Sequence, residues 1–177
     1  MSDPMPELKI YTDGAASPNP GAGGYAAILY QGDERRELFG GFAHTTNNRM
    51  EIFSVIAALE SLEVPSRVSI YSDSKYVVNA IMAGWAKRWK ANKGWKTPKE
   101  KAKNWDLWQR YFVAAEPHAV MLMWVKGHAG HPDNERADEL AVEGSQQLEA
   151  AADEGYLAEL KAQQANETMD LFGDWGK

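Results

Sequence analysis

The amino-acid sequence predicts an α/β fold in which a five-stranded mixed sheet is flanked by helices. Segments with strand character and segments with helical periodicity are interleaved in the order β, β, β, α, β, α, α, β, α, a mixture that is typical of α/β architectures. The chain has 177 residues, of which 44% are apolar, so it can bury one substantial core. We therefore expect a single domain with a small appendage.

Five segments have the character of β-strands. Residues 7–14 (ELKIYTDG) and 66–74 (SRVSIYSDS) are short, rich in β-branched and aromatic residues, and closed by turn formers. Residues 23–44 predict two further strands joined by a turn at QGDE, and residues 119–125 (AVMLMWV) predict the last one. Two of the five strands therefore end at an aspartate that follows the same apolar, aromatic and hydroxyl residues.

Four segments have the character of helices. In residues 47–64 apolar side chains recur at helical spacing until Pro65 stops the run. Ser74 can cap a short helix that follows the fourth strand. Residues 104–115 (NWDLWQRYFVAA) and a segment from about 133 to 148 predict the other two helices.

The chain divides by composition and by charge. Residues 1–148 are predicted to form the folded domain, whereas residues 149–177 are predicted to be an extension that is helical or flexible. The net charge of −6 is distributed unevenly, because residues 84–104 hold eight Lys or Arg against one acid and carry +7. Subtracting that segment leaves −13 for the remainder. Such segregation indicates a polyanionic partner even though the total charge is negative.

Composition also excludes several classes of protein. No apolar run approaches the roughly 20 residues that span a bilayer, and the N-terminus lacks the features of a secretory signal. The chain has no cysteine, which excludes disulfides, thiol nucleophiles and thiolate zinc sites. From these features we expect a cytoplasmic protein without a membrane partner.

The two strand-end aspartates, Asp13 and Asp73, occur in the nearly identical stretches IYTD and IYSD. If the two strands are parallel neighbours, about 4.8 Å apart, their side chains project over the same edge of the sheet. Two carboxylates held this close repel each other unless a cation or a proton lies between them. A turn former or a helix N-cap would explain one such aspartate, and for the matched pair this explanation and a shared site carry equal weight.

Two acids on predicted helices extend this set. Glu51 lies on the apolar stripe of its helix with Val55 and Ala58, and a carboxylate that faces the core is unfavourable unless it is paired. Asp138 borders the stripe of the last helix and is a weaker case, because a partly exposed helix-face acid explains it as well. Four carboxylates at one edge of a sheet would form a hard-oxygen site that suits Mg²⁺ or Mn²⁺.

The loop VKGHAGHPDNE, residues 125–135, carries His128 and His131 ahead of the last helix. Zinc is disfavoured there because the chain has neither cysteine nor an H-E-x-x-H helix. We interpret the loop as a mobile arm that brings the imidazole of His128 near the metal site. An alternative is that the histidines only cap or pack the turn, and it applies best to His131.

Three tryptophans are interspersed among the lysines and arginines of the basic segment: Trp85, Trp89 and Trp95. This composition is typical of surfaces that track a phosphate backbone electrostatically while flat side chains pack on sugars or bases. An acidic metal cluster beside a basic arm predicts an enzyme that grips a polyphosphate chain and hydrolyses it with metal assistance.

Six stretches in chain order carry a further signal: YTDGAASPNPGAGGYAAIL, TTNNRMEIFSVIAALESL, YSDSKYVV, KRWKANKGWKT, NWDLWQR and VKGHAGHPDNERADELA. Together they resemble bacterial type 1 ribonuclease H, ribonuclease HI, over residues 7–148. The resemblance implies the ribonuclease H-like fold and a monomer. It also implies endonucleolytic hydrolysis of the RNA strand of RNA/DNA hybrids, with 3′-hydroxyl and 5′-phosphate products. The implied cofactor is Mg²⁺, two ions per site, with Mn²⁺ as a substitute.

Carried across by motif position, the resemblance implies that Asp13, Glu51, Asp73 and Asp138 are the catalytic metal-binding carboxylates. His128 would then assist proton transfer or product departure. The same resemblance makes residues 84–104 a basic protrusion that contacts the hybrid.

The implied contacts to the hybrid are short polar side chains together with the basic and aromatic residues of the protrusion. They are Asn19, Thr46, Asn47, Asn48, Lys75, Trp85, Lys87, Arg88, Trp89, Lys90, Lys93, Trp95, Lys96 and Asn104. Within this set, Thr46 and Asn104 are expected to hold a phosphate of the DNA strand. Lys75 is a departure, because relatives often carry Gln at this position.

Other functions fit parts of the sequence. The stretch DGAASPNPGAGG resembles a phosphate-cradling loop of actin-like or sugar-kinase ATPases, but neither G-x-x-x-x-G-K-[ST] nor G-x-G-x-x-G is present. Transposases and junction resolvases share the acid cluster but would lack the protrusion. A non-catalytic module that binds RNA/DNA hybrids is the main alternative, with vestigial carboxylates.

The tail contains TMDLF at residues 168–172, which is similar to the short peptides that dock bacterial replication proteins on the sliding clamp. Thr168 stands where such peptides usually carry Gln. The competing interpretation is a hydrophobic tail that folds back on its own domain.

Overall fold

The structure is a computed structural model of the chain and describes residues 4–92, 94–95 and 102–173, with only the backbone for 170–173. Within these residues, five strands form one sheet: β1 (Glu7–Ala16), β2 (Gly21–Gln31), β3 (Glu34–Thr45), β4 (Arg67–Ser72) and β5 (Ala119–Trp124). Six helices accompany them: α1 (Asn47–Glu60), α2 (Lys75–Met82), α3 (Trp85–Ala91), α4 (Trp105–Ala115), α5 (Pro132–Ser145) and α6 (Glu154–Gly173).

The strands follow the order β3-β2-β1-β4-β5 across the sheet. β1, β2 and β3 form an antiparallel meander, whose second turn, between β2 and β3, is made possible by Gly32 at φ +57°. β4 and β5 then add to β1 in parallel. The predicted five-stranded mixed sheet is therefore confirmed, and the parallel pairing of β1 with β4 places their carboxyl ends side by side.

Helices cover the two faces of the sheet. α1 packs on β1 and β2 and against α4, and this layer encloses the main core, in which Ile10, Ile70 and Trp108 are fully buried. α5 covers the other face over β1, β2 and β3. The close approach of α5 requires Gly24, where a Cβ atom would meet the carbonyl oxygen of Ala141 at 1.8 Å.

Two elements differ from the sequence-based expectation. β1 continues past Asp13 to Ala16, because its pairing with β2 persists to the end of the strand. The basic segment also contains a helix, α3, which the lysine pattern did not predict. This helix forms because Trp85 and Trp89 pack against the core, and the Trp89 ring lies 6.3 Å from that of Trp108.

The chain beyond residue 148 is fixed to the domain before α6 begins. Ala151 forms a parallel bridge with Phe42, and the amide of Ala43 donates to the Ala151 carbonyl at 2.9 Å. Tyr156 is 7% exposed and its ring lies 5.4 Å from the His44 ring. The packed structure therefore continues through the first turn of α6.

None of the helices in the described part of the chain is long and apolar enough to cross a membrane.

Candidate active site

Asp13 and Asp73 lie beside each other at one edge of the sheet. The parallel register pairs Thr12 with Ser72, so the next residue of each chain segment is an aspartate at the carboxyl end of the parallel pair. This is the location at which α/β sheets usually place their ligands. The repeated motif therefore reflects two strands whose ends meet, as the sequence analysis expected.

Glu51 reaches the same place from α1 because of Gly14. A Cβ atom at Gly14 would meet the main chain of Met50 and Glu51 at 2.2 and 2.4 Å, so only glycine lets the first turns of α1 lie directly on β1. Thr46 begins the helix as its N-cap and accepts a hydrogen bond from the Arg49 amide at 3.2 Å. Glu51 is 6% exposed on the core side of α1, as its position on the apolar stripe predicted.

The three carboxylates form one cluster. Asp13, Glu51 and Asp73 each offer an oxygen atom, and these oxygens lie within 4.8 Å of one another. Glu51 Oε2 is buried and has no hydrogen-bond partner in the described structure. A buried carboxylate oxygen without a partner, on a residue clustered with two other carboxylates, fits a divalent cation that prefers oxygen ligands.

Burial and the neighbouring charges both favour the protonated forms of the three carboxylates. Burial and then the charges of Asp73 and Asp138 raise the pKa of Asp13 to about 8. Burial and the charges of Asp13 and Asp73 raise the pKa of Glu51 well above its ordinary value. Burial and then the charge of Asp138 raise the pKa of Asp73. A bound cation would favour the ionised forms and remove this repulsion.

Asp138 lies outside the three-carboxylate cluster but acts on it electrostatically. It is half-buried on α5, one turn after the buried Asn134. Its charge is the largest Coulombic cause of the raised pKa of Asp73. The structure thus brings three of the four predicted carboxylates within 4.8 Å of one another, and the fourth, on α5, lies close enough to raise the pKa of Asp13 and Asp73.

His128 lies on the exposed loop between β5 and α5, as predicted. Its φ of +55° and the φ of +80° at Gly130 mark a tight, irregular loop. The preceding residue, Gly127, touches the cluster, because a Cβ atom there would lie 2.7 Å from Asp73 Oδ2. The charge of His128 also lowers the pKa of Asp73, against the effect of burial. The imidazole is therefore within electrostatic reach of the carboxylates.

Comparison with known proteins decides the family. The family model described as RNase H matches residues 5–146 of the chain. The chain belongs to the ribonuclease H family. The resemblance to ribonuclease H that the sequence analysis found over residues 7–148 is therefore confirmed over most of that range.

Relatives of the ribonuclease H family are similar over nearly their full length. The ribonuclease H of Trichodesmium erythraeum is 51% identical over 156 residues, which cover 88% of this chain and 99% of that protein. The ribonuclease HI of a Synechocystis strain is 52% identical over 158 residues, covering 88% of this chain and 98% of that protein. Among solved structures, LC9-RNase H1 superposes with a TM-score of 0.73 at 33% identity. That protein is described as a type 1 RNase H with the type 2 active-site motif. The superposition covers 82% of this chain and 74% of that chain.

The short polar residues expected to contact a ribonuclease H substrate surround the start of α1. Asn19 Oδ1 accepts from the Asn47 amide, and Asn47 Oδ1 accepts from the Ala16 amide, each at 3.0 Å. These bonds fix the loop after β1 against the helix. Asn19 and Asn48 are exposed, whereas Thr46 and Asn47 are half-buried. All four lie within a few residues of Asp13 or Glu51 along the chain.

A buried arginine is bonded to Asn104, the remaining candidate for holding a phosphate of the DNA strand. Sequence analysis did not identify this arginine as a site residue. Arg49 is 1% exposed and donates hydrogen bonds to both carboxylate oxygens of Asp106 and of Asp153, at 2.7 to 2.9 Å. A fifth, longer bond of 3.5 Å reaches Asn104 Oδ1. Asn104 is itself 8% exposed and donates to the Tyr76 hydroxyl at 3.3 Å. Asn104 is therefore held mainly inside the protein, next to the cap of α1.

The basic protrusion is described in part. Lys87, Arg88 and Lys90 are exposed along α3. The segment also contains three half-buried tryptophans that pack against the core, Trp85, Trp89 and Trp95. They anchor the segment to the domain, and each remains partly exposed at its surface. Lys93 and Lys96 lie outside the described residues.

Three residues that shape the site carried no readable sequence signal as site residues. They are Gly14, Arg49 and Gly127. The glycines act through the absence of a side chain, and the arginine acts through partners that are 57 and 104 residues away in sequence.

Proposed function

We propose that this chain is a magnesium-dependent ribonuclease H that hydrolyses the RNA strand of RNA/DNA hybrids endonucleolytically. The observation that carries the proposal is the cluster of Asp13, Glu51 and Asp73, with its orphaned Glu51 oxygen, at the carboxyl edge of a ribonuclease H fold. Relatives with the same name are 51% and 52% identical over 88% of the chain. The products would carry 3′-hydroxyl and 5′-phosphate ends.

The four carboxylates Asp13, Glu51, Asp73 and Asp138 would hold two Mg²⁺ ions, and Mn²⁺ would substitute for them. When bound, such ions activate water and stabilise the leaving 3′-oxygen. The chain supplies the geometry for this chemistry, because the paired strands fix two aspartates and the Gly14 contact fixes Glu51. His128, on the adjacent loop, would accept or release a proton at its imidazole as the product departs.

Recognition of the hybrid would combine charge with short polar contacts. The protrusion, residues 84–104, would track the phosphates of the DNA strand, and Thr46 and Asn104 would hold one of these phosphates beside α1. Asn19, Asn47 and Asn48 would read the minor groove of the hybrid, where 2′-hydroxyls separate RNA from DNA. The ties among these residues and Ala16 support a preformed surface.

Digestion of matched labelled duplexes tests the proposal. We expect cleavage of RNA/DNA, but not of RNA/RNA or DNA/DNA, and only with Mg²⁺ or Mn²⁺. Asp13→Asn should lower the rate at least about a hundredfold while hybrid binding survives, because it removes a metal ligand and leaves the protrusion intact. Asp33→Asn, in the exposed turn between β2 and β3, is the matched control and should cleave normally.

The outcome separates the enzyme from the alternative. Hybrid binding without hydrolysis by the wild-type chain would assign it as a binding module. Full activity of Asp13→Asn would remove the carboxylate cluster from the mechanism.

We further propose that residues 1–148, with the protrusion, supply the catalytic and hybrid-binding side chains, and that the chain acts as a cytoplasmic monomer. In this proposal, TMDLF at residues 168–172 docks on a sliding clamp. This segment lies at the end of α6, where Met169 is 73% exposed and available to a partner. Clamp binding by the full chain but not by a chain ending at Asn166 is the expected result, and equal binding by both would eliminate the docking role.

A further inference from the structure

The last residue of β5, Trp124, is bonded to the main chain of Asp73. Its indole N–H donates to the Asp73 carbonyl oxygen at 3.0 Å. The next amide, that of Val125, donates to the Ser72 carbonyl at 2.9 Å. The end of β5 thus forms hydrogen bonds to the carbonyl oxygens of two successive residues, Ser72 and Asp73. These bonds fix the main chain at the point from which the Asp73 carboxylate extends into the cluster.

The face of the same indole ring lies beneath the ammonium group of Lys75. The ammonium nitrogen of Lys75 lies 4.9 Å from the centroid of the Trp124 ring, a distance at which the ring quadrupole attracts it. Lys75 is exposed, opens α2 and follows Asp73 by two residues. The flexible lysine side chain therefore has a preferred position beside the carboxylate cluster.

The charge of Lys75 is available to a ligand. Among the side chains that the structure describes, in residues 4–92, 94–95 and 102–169, no carboxylate forms a salt bridge with it. Trp124 itself is 44% exposed, so the ring and its cation both face solvent at the edge where the hybrid would lie. A solvent-facing ammonium with no anionic partner is suited to a phosphate oxygen.

We propose that Trp124 is a positioning residue with two effects on one reaction. Its N–H fixes the main chain of Asp73, and its ring face holds the Lys75 ammonium where it binds a phosphate oxygen of the hybrid next to the carboxylate cluster. This inference rests on the proposed hybrid hydrolysis. It predicts that the first effect changes turnover and the second changes binding.

Two substitutions of Trp124 separate these effects. Trp124→Phe keeps an aromatic face and removes the N–H, so kcat should fall about fivefold while the Kd for hybrid in EDTA stays at the wild-type value. The Mg²⁺ concentration for half-maximal activity should rise in the same variant, a change that a purely structural defect does not produce. Trp124→Leu removes ring and N–H together and should also weaken hybrid binding about twofold.

Lys75→Gln tests the cation. In EDTA it should raise the Kd for a fluorescent hybrid about threefold. It should also reduce the slope of log Kd against log salt by about 0.7 to 0.9, the value for one lost phosphate contact. Because Trp124 acts on binding through Lys75, the double variant Trp124→Leu/Lys75→Gln should bind no more weakly than Lys75→Gln alone.

Lys9→Gln is the matched control, because Lys9 also lies over a ring, 5.3 Å from that of Tyr71, but at the amino end of β1. It should change neither kcat nor the salt slope. Thermal unfolding of each variant verifies that it is folded.

The results distinguish two failures. A wild-type chain that does not cleave hybrid overturns the proposed function, and the binding measurements still test the role of Lys75. A cleaving wild type with unchanged kcat in Trp124→Phe, or with multiplicative binding losses in the double variant, overturns this inference alone.

Discussion

At the scale of single residues, the buried carboxylates are a source of instability that function requires. Asp13 is 4% exposed and shares its surroundings with Glu51 and Asp73, and in the absence of a cation these groups repel one another. A residue that is retained despite such repulsion is one whose charge is used. This reasoning predicts opposite effects of one substitution on stability and on activity.

Asp13→Asn should stabilise the metal-free protein although it inactivates the enzyme. It removes one charge from the cluster, so we expect a gain of about 2 kcal/mol and a rise in Tm of about 4–8 °C in EDTA. Thermal unfolding by circular dichroism measures this. Saturating Mg²⁺ should raise the Tm of the wild type more than that of the variant, and a variant less stable than the wild type in EDTA would contradict the repulsion.

Gly127→Ala should impair catalysis without unfolding the protein. The added Cβ would lie 2.7 Å from Asp73 Oδ2 and would displace that carboxylate, so we expect kcat to fall about tenfold or more. Steady-state cleavage of hybrid measures the effect. Gly32→Ala is the control, because nothing lies within 4 Å of its Cβ while its φ of +57° makes alanine unfavourable by about 1 kcal/mol. It should lose stability but keep kcat.

The residue-scale predictions from sequence depended on side-chain periodicity. Asp13, Asp73 and Glu51 were identifiable because a strand end and an apolar helical stripe have fixed spacings that can be counted. Gly14 and Gly127 were not, since each is defined by what approaches it, and only the folded chain contains that neighbour. The catalytic roles of the carboxylates and of His128 remain predictions, supported by their placement.

At the scale of elements, the buried Arg49 joins three parts of the chain. Its guanidinium connects α1 to Asp106 on α4 and to Asp153 ahead of α6, and Asp153 also accepts from the Thr45 hydroxyl at 2.6 Å. Burial alone would raise the pKa of Asp153, but the hydrogen bonds from Arg49 and Thr45 outweigh it and lower the pKa. The extension is thereby part of the framework that fixes α1 and, with it, Glu51.

Asp153→Asn should destabilise the protein by about 3 kcal/mol near pH 7, because it leaves the buried Arg49 with one anionic partner, the half-buried Asp106. The folded pKa of Asp153 is the lower one, so its contribution is present above the ordinary carboxyl pKa and is lost as pH falls towards the folded value. Urea unfolding at pH 7, 4 and 3 should therefore show a difference from wild type that is largest at pH 7 and narrows as the pH falls below the ordinary carboxyl pKa.

Glu60→Gln provides the control for this prediction. Glu60 makes an equally short pair with Arg110, 2.7 Å, but the two side chains are 38% and 50% exposed. Its loss should change stability by about 1 kcal/mol or less. Equal losses from both substitutions would show that burial does not set the strength of the Arg49 pair.

The elements themselves were mostly predictable. All five strands and α1, α2, α4 and α5 follow from periodicity and capping residues, and the fold class is confirmed. α3 was not predictable, because its sequence is dominated by cations and its stability comes from tertiary packing of Trp85 and Trp89. The position of α6 was left open, since its polar sequence has no continuous apolar stripe, and contacts at Ala151 and Asp153 decide where it begins.

At the scale of the whole molecule, charge is separated into a basic protrusion and an acidic body. The segment 84–104 carries +7 in a chain of net charge −6. A hybrid would be attracted by the protrusion and repelled by much of the remaining surface, which favours one orientation of approach. Composition averaged over the chain conceals this property.

Replacing Lys87, Arg88 and Lys90 together by Gln should weaken hybrid binding and reduce the slope of log Kd against log salt by about 2 to 3. Turnover at saturating hybrid should stay near the wild-type value, because α3 does not contribute to the carboxylate cluster. Salt titrations of fluorescence anisotropy measure the slope. The control replaces Lys9, Arg67 and Lys161, and an equal effect there would assign the salt dependence to net charge alone.

The tie between Arg49 and Asp153 also bears on synthesis of the protein. While the growing chain leaves the ribosome, α1 and the first four strands emerge long before Asp153 is translated. Until then the arginine that anchors α1 lacks one of its two counterions, and Glu51 sits on a helix that is not yet secured. We therefore expect a nascent chain that ends before Asp153 to be a poor nuclease.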